Sequence, residues 1–199
     1  MSEWWTYRPS DFLLFAPRTY YRLVELYNAD IWPLQLVALL AGAAILVLIL
    51  KRSASSGRLI AGLLAAGWLW VAWGFHWQRY ATINWAAVYF AVGFALEALL
   101  LIWIGVVRDS LRFDSAPRAR ARNGAAIFVF ALTIQPLLQL FAGRGWRQLE
   151  VFGVAPDPTA VATIGLLLAA NRIHWIALPL PLLWSVIGGF TLWLISSAR

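Results

Sequence analysis

Residues 84–107 read NWAAVYFAVGFALEALLLIWIGVV. A helix of that length rises about 36 Å at about 1.5 Å per residue, enough to cross a hydrocarbon core of about 30 Å. One ionisable side chain interrupts the run, Glu97, close to its centre. This stretch predicts a transmembrane helix carrying a carboxyl group at mid-membrane. The whole chain reads in the same terms. Of 199 residues, 62% are hydrophobic and 13% charged, and the mean hydropathy is +0.71. A soluble domain carries about 25% charged residues. The expected fold class is therefore all-α, a polytopic membrane helix bundle.

The apolar runs predict about six spans, 31–50, 59–77, 84–107, 124–142, a short 157–171 and 173–194. They form one bundle over residues 31–199, preceded by an N-terminal segment, 1–30, too polar to span. Within that segment two short helices broken near Pro17 are expected. Tyr20, Leu23, Val24 and Tyr27 recur at spacings of three and four, the pattern of an amphipathic helix lying in the membrane interface. Ala38 and Gly42 give small residues one turn apart, and Gly62, Gly67 and Gly74 thin one side of the second span, both favouring close helix approach. Asp157-Pro158 reads as an N-cap followed by proline at the first helical position. The helix it starts covers only about 22 Å, so it is either a short fifth span or a re-entrant half-helix. Pro179 and Pro181 are expected to bend the last span. Six crossings are the favoured count, with five as the alternative.

The positive charge orients this bundle. Lys51, Arg52 and Arg58 follow the first span, and Arg108, Arg112, Arg118, Arg120 and Arg122 follow the third, whereas the second is followed only by Arg79. Basic loops stay in the cytoplasm, which places the N-terminus outside an inner membrane. The net charge of +7 is thus explained by topology and contact with anionic lipid head groups, and nucleic acid is not expected as a partner. The expected partners are membrane lipids, with a membrane-protein partner or a second copy as possibilities. Thirteen tryptophans fit interfacial anchoring, although Trp68, Trp70 and Trp103 lie too deep for that role alone. Cysteine is absent, which excludes disulfides and thiolate metal sites.

The opening Ser10-Asp11-Phe12-Leu13-Leu14-Phe15-Ala16-Pro17-Arg18-Thr19-Tyr20-Tyr21-Arg22, with Glu25-Leu26-Tyr27-Asn28 and Trp32-Pro33, resembles the start of a family of bacterial integral membrane proteins of unknown function. The similarity extends through Ile83-Asn84 and the Pro156 to Leu168 region. It implies a bacterial membrane protein of about six helices and supplies no activity and no site residues.

Candidate functional residues are few. A charge at the bilayer centre costs about 2.5–3.5 kcal/mol on insertion scales, so Glu97 is expected to face the bundle interior or water. Burial there favours the protonated acid. It serves either as a proton, cation or ligand site or as the donor of one interhelical hydrogen bond. Gln135 and Gln139 lie one turn apart on the fourth span, where Pro136 frees the carbonyl of Leu132. Gln135 falls at nearly the depth of Glu97, and a Glu97–Gln135 contact is expected. Gln35, His76, Asn84 and Gln139, with Gln78, Thr159 and Thr163, map to the outer halves of their helices, while the inner halves carry no ionisable or amide side chain. That pattern predicts a polar cavity open to the outside above an apolar seal. Six crossings put His76 and His174 on opposite faces, where they cannot share a cofactor, and no cofactor or metal is expected. Phosphate-binding, zinc and catalytic-triad signatures are missing, so no enzymatic activity is expected. Three function classes follow: a small permease or ion-coupled carrier using Glu97 and Gln135, a non-catalytic membrane subunit or sensor, and, least favoured, a haem- or pigment-binding redox protein.

Overall fold

A computed structural model of the chain describes residues 15–52 and 56–197. The first of the two helices expected before residue 31 lies outside that range. The described residues form helices and connecting turns without strands. Helix α1 is Pro17–Asp30, α2 Leu34–Leu50, α3 Gly57–Trp70, α4 Ala87–Leu101, α5 Arg118–Val129, α6 Gln135–Phe141, α7 Pro156–Ala169 and α8 Pro179–Ser197. Helices α3 and α4 continue into π-helical turns at Val71–Trp77 and Ile102–Val107, and a third such turn, Phe130–Ile134, joins α5 to α6. Pro136 explains the third: it has no N–H to give the Leu132 carbonyl, so the ladder loosens just before it. Five continuous helical stretches, Leu34–Lys51, Gly57–Thr82, Ala87–Val107, Arg118–Phe141 and Trp175–Ile195, are long and apolar enough to cross a membrane, and Pro156–Ala169 is apolar but shorter.

Helix α1 buries Tyr20, Leu23, Val24 and Tyr27, the face that the spacing predicts. It lies against the bundle itself. Tyr27 donates its hydroxyl hydrogen to the Val154 carbonyl at 2.7 Å and accepts the Trp70 indole N–H at 2.9 Å. Asn28 donates to the carbonyls of Arg147 and Leu149. The helix therefore caps one end of the bundle. The basic loops lie at the other, where Arg52 donates to the carbonyls of Asp114 and Ala116.

The segment between α6 and α7 decides the architecture. After Phe141 the chain turns back into the bundle with no more than a single 3₁₀ turn at Trp146–Gln148. Gly153 reaches the middle, where a side chain would come within 3.1 Å of it from Gly67 on α3, and where it faces Ala38 on α2. Its φ of +78° and this crowding both demand glycine. Phe152 packs edge-on against Phe128. Irregular backbone at such depth is tolerated only when protein satisfies its polar groups. Here the Gly153 N–H goes to Thr159 Oγ1 at 2.9 Å and the Val154 carbonyl to Tyr27. Helix α7 then completes the traverse to the basic-loop end. It packs most closely on α5, through Gly124 and Gly165. At its exit the Asn171 N–H donates to the Arg112 carbonyl at 2.7 Å, and Arg120 donates to the carbonyls of Ala170 and Asn171. Helix α8 returns, passing Gly93 through Leu180, the Phe90 and Phe94 rings through Trp184, and Asp157 through Gly188.

Several local expectations change. Asp157 is not a cap: α7 starts two residues earlier, with Ala155 at the N-cap, Pro156 at its first position and Asp157 inside its first turn. The prolines near residue 180 do not bend a helix. Pro179 opens α8, where a missing N–H costs nothing, after a separate 3₁₀ turn at Trp175–Ala177. Residues 118–123 of the expected loop 108–123 are helical, because α5 begins at Arg118. Asn84 precedes α4 and caps the turn into it, its Oδ1 accepting the Ala86 N–H at 3.0 Å. Of the deep tryptophans, Trp68 is buried and donates to Thr163 Oγ1 at 2.8 Å, whereas Trp103 is exposed beneath the Arg108 guanidinium.

Candidate functional site

The strongest concentration of buried charge lies where α1, the 142–155 segment, α7 and α8 meet. Arg144 and Glu150 are 7% and 1% exposed and pair at 3.3 Å. Each arrives from irregular backbone, which lets two charges 6 residues apart turn inward together. Tyr20 of α1 donates its hydroxyl hydrogen to Glu150 Oε1 at 2.5 Å. Gln139 of α6 stitches the pair to the bundle: its Oε1 accepts from the Glu150 N–H at 2.9 Å and from Arg144 at 3.2 Å. The Arg144 guanidinium also stacks over Tyr21 at 5.0 Å. Burial first, and then the negative charge of Glu150, hold the Tyr20 hydroxyl protonated well above its usual range. Burial alone would ease the proton off Arg144; the charge of Glu150 reverses this and keeps it firmly cationic.

Asp157 stands beside this cluster, half-buried at the start of α7. Its Oδ1 accepts the Trp184 indole N–H at 2.7 Å. Gly188 of α8 crosses so close that any side chain there would overlap the carboxylate. A groove of about 290 Å³ opens next to it, lined by Tyr21, Gln135, Gln139, Arg144, Asp157 and Leu192 among others. The chain matches the model of a family of unknown function, DUF6064, over residues 18–197. It belongs to that family. No curated protein and no solved structure matches it.

The residues picked from this DUF6064 sequence do not converge on one place. Gln135 and Gln139 share the groove. The expected Glu97–Gln135 hydrogen bond is not formed. Both Glu97 carboxyl oxygens are buried without a hydrogen-bond partner among the described residues, and so is Gln135 Oε1. Helix α4 packs instead on α3, its π turn and α8. His76 is also fully buried, both ring nitrogens unpartnered, with its ring 4.6 Å from Phe94 and 4.8 Å from Trp184. His174 lies at the basic-loop end, 3.1 Å from the Ser110 carbonyl, so the two histidines do not meet. Gln35 is spent on the Asn28 carbonyl at 2.7 Å, and Asn84 on its turn. Thr159 and Thr163 bond the backbone of their own helix, at Ala155 and Thr159.

Sequence reasoning passed over Arg144, Glu150, Asp157 and Tyr20. A signal existed: Arg144 and Glu150 are charges in a connector too short to hold a domain. Their meeting with Tyr20, 130 positions away from Glu150, has no sequence signature.

Proposed function

We propose that this protein is a six-crossing inner-membrane carrier, a small permease or ion-coupled transporter, with its N-terminus outside and its site in the groove beside Asp157. The observation that carries the reading is the discontinuous fifth traverse. An irregular segment dips to the middle of the bundle and hands over to a half-helix whose first turn presents Asp157 to a largely apolar groove that also holds Gln135, Gln139 and Arg144. Broken helices with polar or charged groups at the break are how membrane carriers build sites near the midplane. The exposed apolar faces, with Leu40 at 70%, Val186 at 69% and Tyr89 at 69%, suit lipid and are too extensive for water. Tryptophans stand exposed toward both ends, Trp85 and Trp146 at one and Trp103 and Trp175 at the other, as interfacial anchors do. In this reading Glu97 is an interior acid on α4 that lines no part of this groove, and the transport chemistry belongs to Asp157 and its neighbours.

The test is solute flux into liposomes reconstituted with the purified protein, using a panel of small amines, organic acids and sugars. Wild type is expected to accelerate at least one solute over empty liposomes, with Asp157→Asn losing most of that rate. Equal rates for wild type, variant and empty liposomes across the panel would remove the carrier reading. The second reading, a non-catalytic subunit, draws on the groove of about 550 Å³ where Trp32 and Trp146 are exposed near Gln35. It predicts a membrane protein that copurifies through those two rings.

A further inference from the structure

The groove beside Asp157 is short of positive charge. Arg144 is the cation among its lining residues, and that guanidinium is already committed to Glu150 at 3.3 Å and Gln139 at 3.2 Å. The Tyr20 hydroxyl hydrogen is likewise taken by Glu150. Asp157 has no share in capping α7, since no side chain caps that N-terminus and the Gly153 N–H goes to Thr159. The described residues give its carboxylate one donor, the Trp184 indole, on one oxygen. On the same groove, Gln135 Oε1 is buried without any donor. Arg144 and Glu150 cancel in charge; Asp157 is left over.

A carboxylate drawn out of water with no cation of its own is costly, and so is an amide oxygen without a donor. One ligand relieves both if it brings positive charge and N–H groups together. Leu138, Ala142 and Leu192 supply apolar wall, and the Tyr21 ring a further face. The volume of about 290 Å³ has room for roughly ten water-sized groups at about 30 Å³ each. A hard metal cation suits the groove poorly, because it needs six or more oxygens, whereas Asp157 and Gln135 provide few free ones.

We propose that this groove binds a small organic cation, an ammonium head facing Asp157 and Gln135 with its carbon body against Leu138 and Leu192. The inference rests on the carrier reading for its purpose, transport, and not for the binding itself.

The experiment is thermal unfolding of the detergent-purified protein with methylammonium, ethylammonium or ethanolammonium chloride. Sodium lactate, glucose and sodium chloride serve as anionic, neutral and metal-cation comparisons. At saturation an ammonium salt is expected to raise the Tm by about 3 °C or more. Asp157→Asn should abolish the shift. Gly188→Ala, which keeps every charge but drives a methyl group into the carboxylate, should abolish it too, and it carries the test if Asp157→Asn fails to purify. A rise with lactate or glucose but not with the ammonium salts overturns the proposal and leaves the carrier reading standing. A rise with sodium chloride alone assigns the groove to a metal ion and also overturns it. If none of these solutes shifts the Tm, the cation site is wrong, and the liposome flux decides separately whether the carrier survives.

Discussion

Taking Arg144 and Glu150 out of water costs each its hydration, and only their mutual attraction and the bonds from Tyr20 and Gln139 offset that cost. Removing one partner leaves the other charged, buried and alone. Arg144→Ala is therefore expected to destabilise the protein by about 3–5 kcal/mol, read as a fall in Tm of the purified protein. The double variant Arg144→Ala/Glu150→Gln should recover a large part of the loss, because the stranded charge is gone. A double variant no more stable than Arg144→Ala would mean that the arginine acts by packing on Tyr21 and not by charge. The same reasoning shows why Glu97 drew attention and Asp157 did not. A carboxylate inside an apolar run stands out against its neighbours. Asp157 follows Pro156 and precedes Pro158, a context in which acids usually serve helix starts. Only its tertiary partners, Trp184 and Gly188, reveal a different role.

Among the elements, α7 against α5 has little room to give. A β-carbon on Gly124 would stand 2.5 Å from the Gly165 carbonyl oxygen, and one on Gly165 would stand 2.7 Å from the Phe128 nitrogen. Gly165→Leu is therefore expected to push the two helices apart and cost about 1–3 kcal/mol or more. Gly62→Ala, where no atom lies within 4 Å of the added carbon, should cost nothing and stabilise α3 by up to about 1 kcal/mol, because alanine is the better helix former. Comparable losses at both positions would show that interhelical distance does not set the cost, since alanine and leucine are both better helix formers than glycine. These glycines also mark the limit of sequence reading. The spacing of Gly62, Gly67 and Gly74 suggests one thin face, yet only Gly67 receives another backbone, that of Gly153; Gly74 meets only the Trp70 side chain of its own helix. The long helices were legible because composition and length define them. So was the buried face of α1, because period alone defines it. The dipping segment 142–155 was not, since its depth is set by Phe152 and Gly153 finding Phe128, Gly42 and Gly67. No local pattern encodes those meetings.

For the whole molecule, the side on which α7 ends fixes the number of crossings. Helix α7 begins beside Gly67 and Ala38 in the interior and ends where Asn171 joins Arg112 and Asp114. The exposed Arg172 thus shares an end with the basic loops, and the exposed Gly145 shares the other end with α1. With no native cysteine, single substitutions report on each end cleanly. Gly145→Cys should react with a membrane-impermeant thiol reagent in whole cells. In the proposed orientation, which puts the basic loops in the cytoplasm, Arg172→Cys should react only after lysis. Reaction of both in whole cells would mean that α7 turns back to the side it entered from. The chain would then cross five times, and the contacts of Asn171 with residues 112–114 would have to form outside the membrane. Reaction of Arg172→Cys alone in whole cells would keep six crossings but invert the protein. The groove beside Asp157 would then open to the cytoplasm, and a carrier with that site would first meet its cation from within.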